Sequence, residues 1–215
     1  MVELTGHDSS EPAFPTVLNI IAISGSLRAA STNSALVAAL AANTPADCRV
    51  EVYDGLGRLP IFNPDDEGDR TPPEAVKLID AVTQADGVIV SCPEYAHGVP
   101  GGMKNALDWL VSRDAAVSKP AMLVHASPRS LYARAALAEI MRTMSFAICE
   151  ETLEIALLGK KPGEVGMILG EDANRQAMRG AVQGFAGFIR ANIASSSLGR
   201  SKERGDAAQT LGSIP

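Results

Sequence analysis

The chain has 215 residues, enough for one well-buried domain and short for two. Apolar residues make up 46% and charged residues 20%, an ordinary globular balance; the net charge of −6, with no Lys/Arg run on any predicted helix, argues against nucleic acid, whose backbone calls for basic patches. The longest apolar stretches are strand-sized, well below the roughly 20 residues of a membrane helix, so no membrane partner is expected.

Met1 to Thr16 has neither the basic nor the apolar region of a secretory signal and reads as a flexible leader. Val17 to Ser24 is a continuous apolar run, the mark of a strand buried on both faces. Gly25 to Ala30 breaks it, and Ser31 opens a helix reaching about Ala42, with Leu36 and Leu40 one turn apart and facing the sheet. Arg49 to Tyr53 alternates as a second strand, and a Pro/Asp-rich loop follows from Pro60 to Pro73. Glu74 to Ala85 is a second helix with Val76, Ile79 and Val82 or Ala75 inward.

Gly87 to Ser91 is a third buried strand, followed by a Pro/Gly-rich loop and a helix from about Gly101 to Val111. Ala121 to Ala126 is a fourth strand and Arg129 to Met144 a fourth helix. A fifth strand, more polar and nearer an edge, lies within Ile148 to Leu157. Glu171 to Ile193 is the last helix, weakened by Gly180, Gly184 and Gly187, and residues 194–215 read as a flexible tail. The domain therefore runs over residues 17–193. Cys48, Cys92 and Cys149 are scattered and odd in number, and His7, His97 and His125 show no ligand spacing to them. A cytoplasmic protein with neither disulfide framework nor metal is the default.

Alternating strands and helices imply an α/β fold, a parallel sheet with helices on both faces. Five such units fit a flavodoxin-like three-layer sandwich with strand order 2-1-3-4-5. Its ligand crevice lies at the carboxyl ends of strands one and three.

Two polar, Gly-bearing loops follow those two strands. The first, Ser24, Gly25, Ser26, Leu27, Arg28, Ala29, Ala30, Ser31, Thr32, Asn33, lacks the Gly-Lys-Ser/Thr of a Walker loop and the spaced glycines of a dinucleotide fingerprint. It does combine hydroxyls, one guanidinium and a helix start, where free N–H groups and the helix dipole favour an anion. Two readings stand side by side: phosphate binding, or a Ser31 that caps the helix beside a solvated Arg28. The second loop, Pro93 to Gly102, leads into Met103 to Trp109. Its prolines and glycines set a rigid path able to aim backbone N–H groups at the polar edge of a flat ring, with Tyr95 packing on that ring or its side chain. His97 stands at the crevice mouth, where an anion or nicotinamide would approach; a general-base role is the weaker reading. Trp109 and Leu107 read as core or interface, and Asp108 as solvated or paired.

With these two loops the chain resembles the NADPH-dependent FMN reductase family, which also includes quinone, chromate and azo-dye reductases. The first family signature is matched by Gly25-Ser26-Leu27-Arg28, Ser31 and Asn33, the second by Pro93-Glu94-Tyr95, Pro100-Gly101 and Lys104 to Trp109. The resemblance spans roughly Val17 to Ile193. It implies that Ser26, Arg28, Ser31 and Asn33, with Ser24, Gly25 and Thr32 around them, surround an FMN phosphate. Pro93, Glu94, Tyr95, Ala96, His97 and Gly98 would then contact the isoalloxazine and ribityl groups, and Ser127 would lie beside the flavin. It also implies a homodimer or homotetramer with the helix after the second motif near the interface.

Three departures bear on substrate choice. Ala96 stands where the family often has Asn. Ser127 to Tyr132 replaces a Gly-rich turn, so that its bulk reshapes substrate access and places Tyr132 to cover the ring. Glu154 to Gly170 matches no pattern of the family.

The activity so implied is an FMN-dependent oxidoreductase taking hydride from NADPH or NADH and passing electrons to FMN, a quinone or a similar small acceptor. The flavin does the hard chemistry, so no side chain is named as catalytic. The rival readings are a flavodoxin-like one-electron carrier and a redox-silent flavin-binding protein. Aromatic residues, only 4% of the chain, argue against the carrier, which flanks its flavin with aromatics.

Overall fold

A computed structural model describes Pro15, residues 17–111 and residues 113–211, with 196–211 as backbone only. The described residues form six strands and six α-helices, alternating as far as β5: β1 (Leu18–Ser24), α1 (Thr32–Ala42), β2 (Cys48–Tyr53), α2 (Pro73–Gln84), β3 (Gly87–Ser91) and α3 (Gly101–Val111), then β4 (Pro120–His125), α4 (Leu131–Thr143), β5 (Ala147–Ile148), β6 (Leu153–Glu154), α5 (Pro162–Gly170) and α6 (Asp172–Leu211). The sheet runs β2-β1-β3-β4-β5, and β6 also pairs with β4. Every pairing is parallel. The register sets Ser24 opposite Ser91, so β1 and β3 end level at the point where the strand order reverses.

Helices on both faces divide the apolar side chains into two cores. One face of the sheet packs Ile21, Ile23, Val88 and Val90 against α2, α3 and α4 through Leu78, Val82, Met103, Trp109, Leu137 and Met141. The other packs Ile20, Ala22, Ile89 and Met122 against α1, α5 and α6 through Leu36, Leu40, Val165, Val182, Phe185 and Ile189. β3 and β4 are buried along their whole lengths, which is why they read as unbroken apolar runs. Gly87 has a packing reason as well: a Cβ there would come 2.7 Å from Ile189 Cδ1 and 2.8 Å from Phe185 Cζ.

The expected elements are present, with three corrections and one additional helix. In α2 the inward residues are Ala75, Leu78 and Val82, whereas Val76, expected inward, is 39% exposed. The fifth sheet position is shared by the two-residue strands β5 and β6 rather than held by one strand. Within the unmatched stretch 154–170 lies α5, begun by Pro162 at its first position and by Glu164, whose carboxylate accepts from Lys161 N at 2.8 Å. The last helix does not stop at Ile193 but continues to Leu211, through a segment whose Lys, Glu, Arg, Ala and Gln are good helix formers. The leader 1–16, Pro15 apart, lies outside the described residues.

Candidate functional site

The loop after β1 is closed by its own hydroxyls. Ser24 Oγ, buried, accepts from Ser26 N at 3.3 Å and lies 2.9 Å from Ser34 Oγ. Ser26 Oγ accepts from Arg28 N at 3.4 Å. Ser31 has extended backbone and its Oγ accepts from Ser34 N at 3.2 Å, which makes it the N-cap of α1; its carbonyl accepts from Ala35 N at 2.9 Å. The N–H groups of Thr32 and Asn33 follow that cap, among the first-turn donors that a helix leaves without intrahelical partners. Asn33 points inward: its Oδ1 accepts from Ser91 Oγ at 2.9 Å, a buried bond that ties α1 to the end of β3.

Gly25 N donates to Ser91 O at 2.8 Å, and a Cβ on Gly25 would come 2.9 Å from Cys92 Sγ and 3.3 Å from Met103 Cβ. The loop backbone thus lies directly on β3 and α3, an approach open only to glycine. Burial pushes the Cys92 thiol beneath it up to about 12, so it stays neutral. Arg28 is exposed, and among the described residues no carboxylate reaches it. A free guanidinium beside unpaired helix-start N–H groups is a donor set suited to a phosphate dianion.

The loop after β3 is built differently. Tyr95 and Gly98 exchange backbone hydrogen bonds, Tyr95 N to Gly98 O at 3.1 Å and Gly98 N to Tyr95 O at 3.0 Å. The two residues between them have left-handed backbone, Ala96 at φ 50° and His97 at φ 58°. Positive φ at both central positions is the signature of a turn that favours Asn-Gly, and here it carries two residues with side chains. Its hold comes from outside. Glu94 Oε2 accepts from Ala133 N at 2.9 Å in the first turn of α4, a cap that the local Ser130 does not supply. The His97 ring stacks on Tyr132, centroids 4.4 Å apart and planes 24° apart. Tyr95 remains half exposed at the mouth of the crevice.

The helical half of the second motif proves to be scaffolding. Asn105 Oδ1 accepts from Phe62 N at 2.8 Å and its Nδ2 donates to Pro60 O at 2.9 Å; Trp109 Nε1 donates to the same carbonyl at 2.9 Å. Trp109 is 1% exposed and meets Phe62 edge-on, centroids 5.0 Å apart. Lys104 pairs with Asp108. So Trp109 is core and Asp108 is paired, and the task of Asn105, pinning the loop after β2, has no signal in local sequence. The loop after β4 is fastened likewise: Ser127 Oγ accepts from Arg129 N at 3.1 Å, and Arg134 donates both to Ser127 O and to Glu154. Beneath it His125 is held down to about 4, first by burial and then by the charge of Arg134, so it is neutral.

The structure therefore brings the predicted residues of both loops to one end of the sheet. Arg28 is exposed and Ser26 and Thr32 are half-buried, Ser24, Ser31 and Asn33 hold the loop from buried positions, and Pro93 to Gly98 make up the neighbouring loop, with Glu94 spent on α4. A cleft of about 540 Å³ lies elsewhere, at the amino end of the sheet between β1, β2 and α2, lined by Asn19, Ile21, Arg49, Glu51, Lys77 and Asp80. Its charged side chains are solvated, and it touches neither loop.

Residues 18–151 match the model of a family described as NADPH-dependent FMN reductase. A subunit of the NADH:(hydroxy)cinnamate reductase of Vibrio ruber is 34% identical over 128 residues, 59% of this chain and 62% of the relative. A quinone reductase of Escherichia coli is 36% identical over 94 residues, 43% of this chain and 50% of the relative. The chain thus spans less than two thirds of the length of these curated relatives. Among solved structures, the flavoenzyme NAD(P)H:(acceptor) oxidoreductase FerB of Paracoccus denitrificans superposes with a TM-score of 0.69 at 24% identity, covering 82% of this chain and 99% of that one, a likeness of fold.

Proposed function

The chain belongs to the family of NADPH-dependent FMN reductases, and on that premise we propose that it is an NAD(P)H-dependent flavin oxidoreductase that reduces a quinone, FMN or a similar small acceptor. The observation that carries this reading is the donor set at the start of α1, where Arg28, unpaired among the described residues, shortly precedes the first-turn N–H groups, in the loop next to the left-handed turn at the end of β3.

FMN, when bound, supplies a ring that takes hydride from NAD(P)H and returns the electrons to an acceptor. Arg28, Ser26 and the N–H groups of Thr32 and Asn33 would hold its phosphate, with Ser24 and Ser31 keeping the loop in shape. Pro93 to Gly98 would seat the ring, and the loop at Ser127 would border it. The ends of β1 and β3 are buried, with Ser91 Oγ bonded to Asn33 Oδ1, and would keep water from beneath the ring. In total one NAD(P)H, one quinone and one proton give NAD(P)⁺ and a hydroquinone. The proton comes from water, so no side chain is required as acid or base. Neutral Cys92 and neutral His125 fit that view, since neither holds a proton it can readily exchange near pH 7.

Three unpaired, buried cysteines support a cytoplasmic setting. The exposed apolar side chains Leu27, Ile61 and Val111 around α3 support a homodimer or homotetramer. The decisive experiment is a visible spectrum of the purified protein followed by NADPH under nitrogen. A flavin spectrum bleached by NADPH is the expected result. A colourless protein that neither binds added FMN nor oxidises NADPH overturns the reading.

A further inference from the structure

The loop after β3 and the start of α4 are joined at two points, the Glu94 carboxylate on Ala133 N and the His97 ring on Tyr132. Both rings stand beyond the carboxyl ends of β3 and β4, on the side of the sheet where the two polar loops meet. Tyr132 keeps 60% of its surface in water although one face is covered by the imidazole. His97 reaches it from a turn that its own residues do not favour, with Ala96 and His97 both at positive φ. The imidazole is therefore a replaceable cover: the turn has little local preference for this shape, and one aromatic stack is a weak bond.

We propose that Tyr132 is the face on which the electron acceptor stacks, taking the place of His97, and that it thereby selects flat unsaturated rings such as quinones over compact anions. This rests on the flavin-oxidoreductase reading and adds to it the residue that discriminates between acceptors. Tyr132 takes no part in the redox step itself. The quinone gains two electrons and two protons, one hydride equivalent from NAD(P)H and one proton from water.

The test uses FMN-loaded wild type, Tyr132→Phe and Tyr132→Leu. With saturating NADPH, kcat/KM is measured for 1,4-naphthoquinone and for ferricyanide. In Tyr132→Leu the ratio of the two falls by about two- to tenfold, chiefly through KM for the quinone, and Tyr132→Phe keeps it within about twofold. Binding gives a readout independent of turnover. The chain has three histidines, so the His97 imidazole can be assigned in proton NMR spectra of the oxidised protein. Part of its ring-current shift in wild type comes from Tyr132; Tyr132→Leu removes that part, and titration with the redox-inert flat ring 2-naphthol changes it in wild type but not in Tyr132→Leu. Equal kinetic ratios in all three proteins, or a His97 signal that 2-naphthol leaves in place, overturn the proposal. A wild type that oxidises NADPH with neither acceptor instead defeats the oxidoreductase reading beneath it.

Discussion

The loops after β1 and β3 end neighbouring strands of one sheet, yet they are held in opposite ways. The first is stabilised from within: the hydroxyls of Ser24, Ser26 and Ser31 each accept from a backbone N–H two or three residues on, and none of its residues takes a positive φ. The second is stabilised from without, its two left-handed residues kept in place by Glu94 on α4 and by the ring of Tyr132. Where the holding groups lie also differs. In the first motif the holding residues Ser24, Ser26, Ser31 and Asn33 are interspersed with exposed Arg28 and half-buried Thr32, whereas in the second Glu94 ties the loop to α4 and the helix, through Asn105 and Trp109, holds a different wall. A residue's place in a motif is thus no guide to whether its side chain braces the backbone or stays exposed.

The sharpest way to break that comparison is Trp109→Ala. The variant empties a site that is 1% exposed, removes the contact with Phe62 and leaves Pro60 O without the indole donor. A loss of about 3–5 kcal/mol in urea unfolding of the apo protein is expected, from the cavity and the lost packing. An apo stability within about 1 kcal/mol of wild type, well short of a filled-cavity loss, together with weak FMN binding, would move Trp109 from scaffold to ligand contact.

Arg28→Ala is the converse. The side chain is exposed and, among the described residues, unpaired, so the apo protein should unfold within about 0.5 kcal/mol of wild type. Loss of a charged hydrogen bond of about 1.5–3 kcal/mol should raise the FMN dissociation constant roughly ten- to a hundredfold, read by flavin fluorescence. An unchanged constant would remove Arg28 from the phosphate site.

What the sequence shows and hides follows the same division. The buried runs of β1, β3 and β4 and the bounds of α3 are legible because burial on both faces and a Pro-Gly start leave plain local marks. The first loop is legible too, since Ser31 caps its own helix directly before the N–H groups of Thr32 and Asn33. The second loop is not. Nothing in Ala96-His97 announces a left-handed turn, and the Glu94–Ala133, His97–Tyr132 and Asn105–Phe62 contacts each join residues far apart in the chain. The start of α5 did carry a signal, Pro162 followed by Glu164, that a family pattern obscures because the stretch matches none. The split of the fifth strand position carries no such mark, because two residues are too few for a period.

The loop after β4 extends the comparison to acid. It is held from outside by Arg134, above a His125 whose folded pKa of about 4 lies below the ordinary 6.5 because burial, then Arg134, disfavours the cation. The unfolded chain therefore binds a proton at this site from about pH 6.5 downward while the folded chain refuses it until about pH 4. Unfolding takes up that proton, so stability is full above the upper limit and falls as pH drops through the window, by at most about 1.4 kcal/mol per pH unit from this group. His125→Gln should flatten that part of a urea-midpoint profile between pH 6.5 and 4. A profile as steep as that of wild type would place the acid sensitivity elsewhere.

The smallest effect tests the strain itself. A residue with a Cβ in left-handed backbone costs roughly 1–2 kcal/mol, a cost glycine does not carry. Glycine also loosens the unfolded chain, which returns part of that gain. Ala96→Gly should then stabilise the apo protein by about 1 kcal/mol or less, while Ala29→Gly, in the loop after β1 where no φ is positive, should destabilise it by about 0.4–1 kcal/mol. Opposite signs in the two loops are what distinguish a turn forced by its neighbours from one that chooses its own path. If both variants lose stability, Ala96 is not strained, and the His97–Tyr132 stack closes a turn that would form without it.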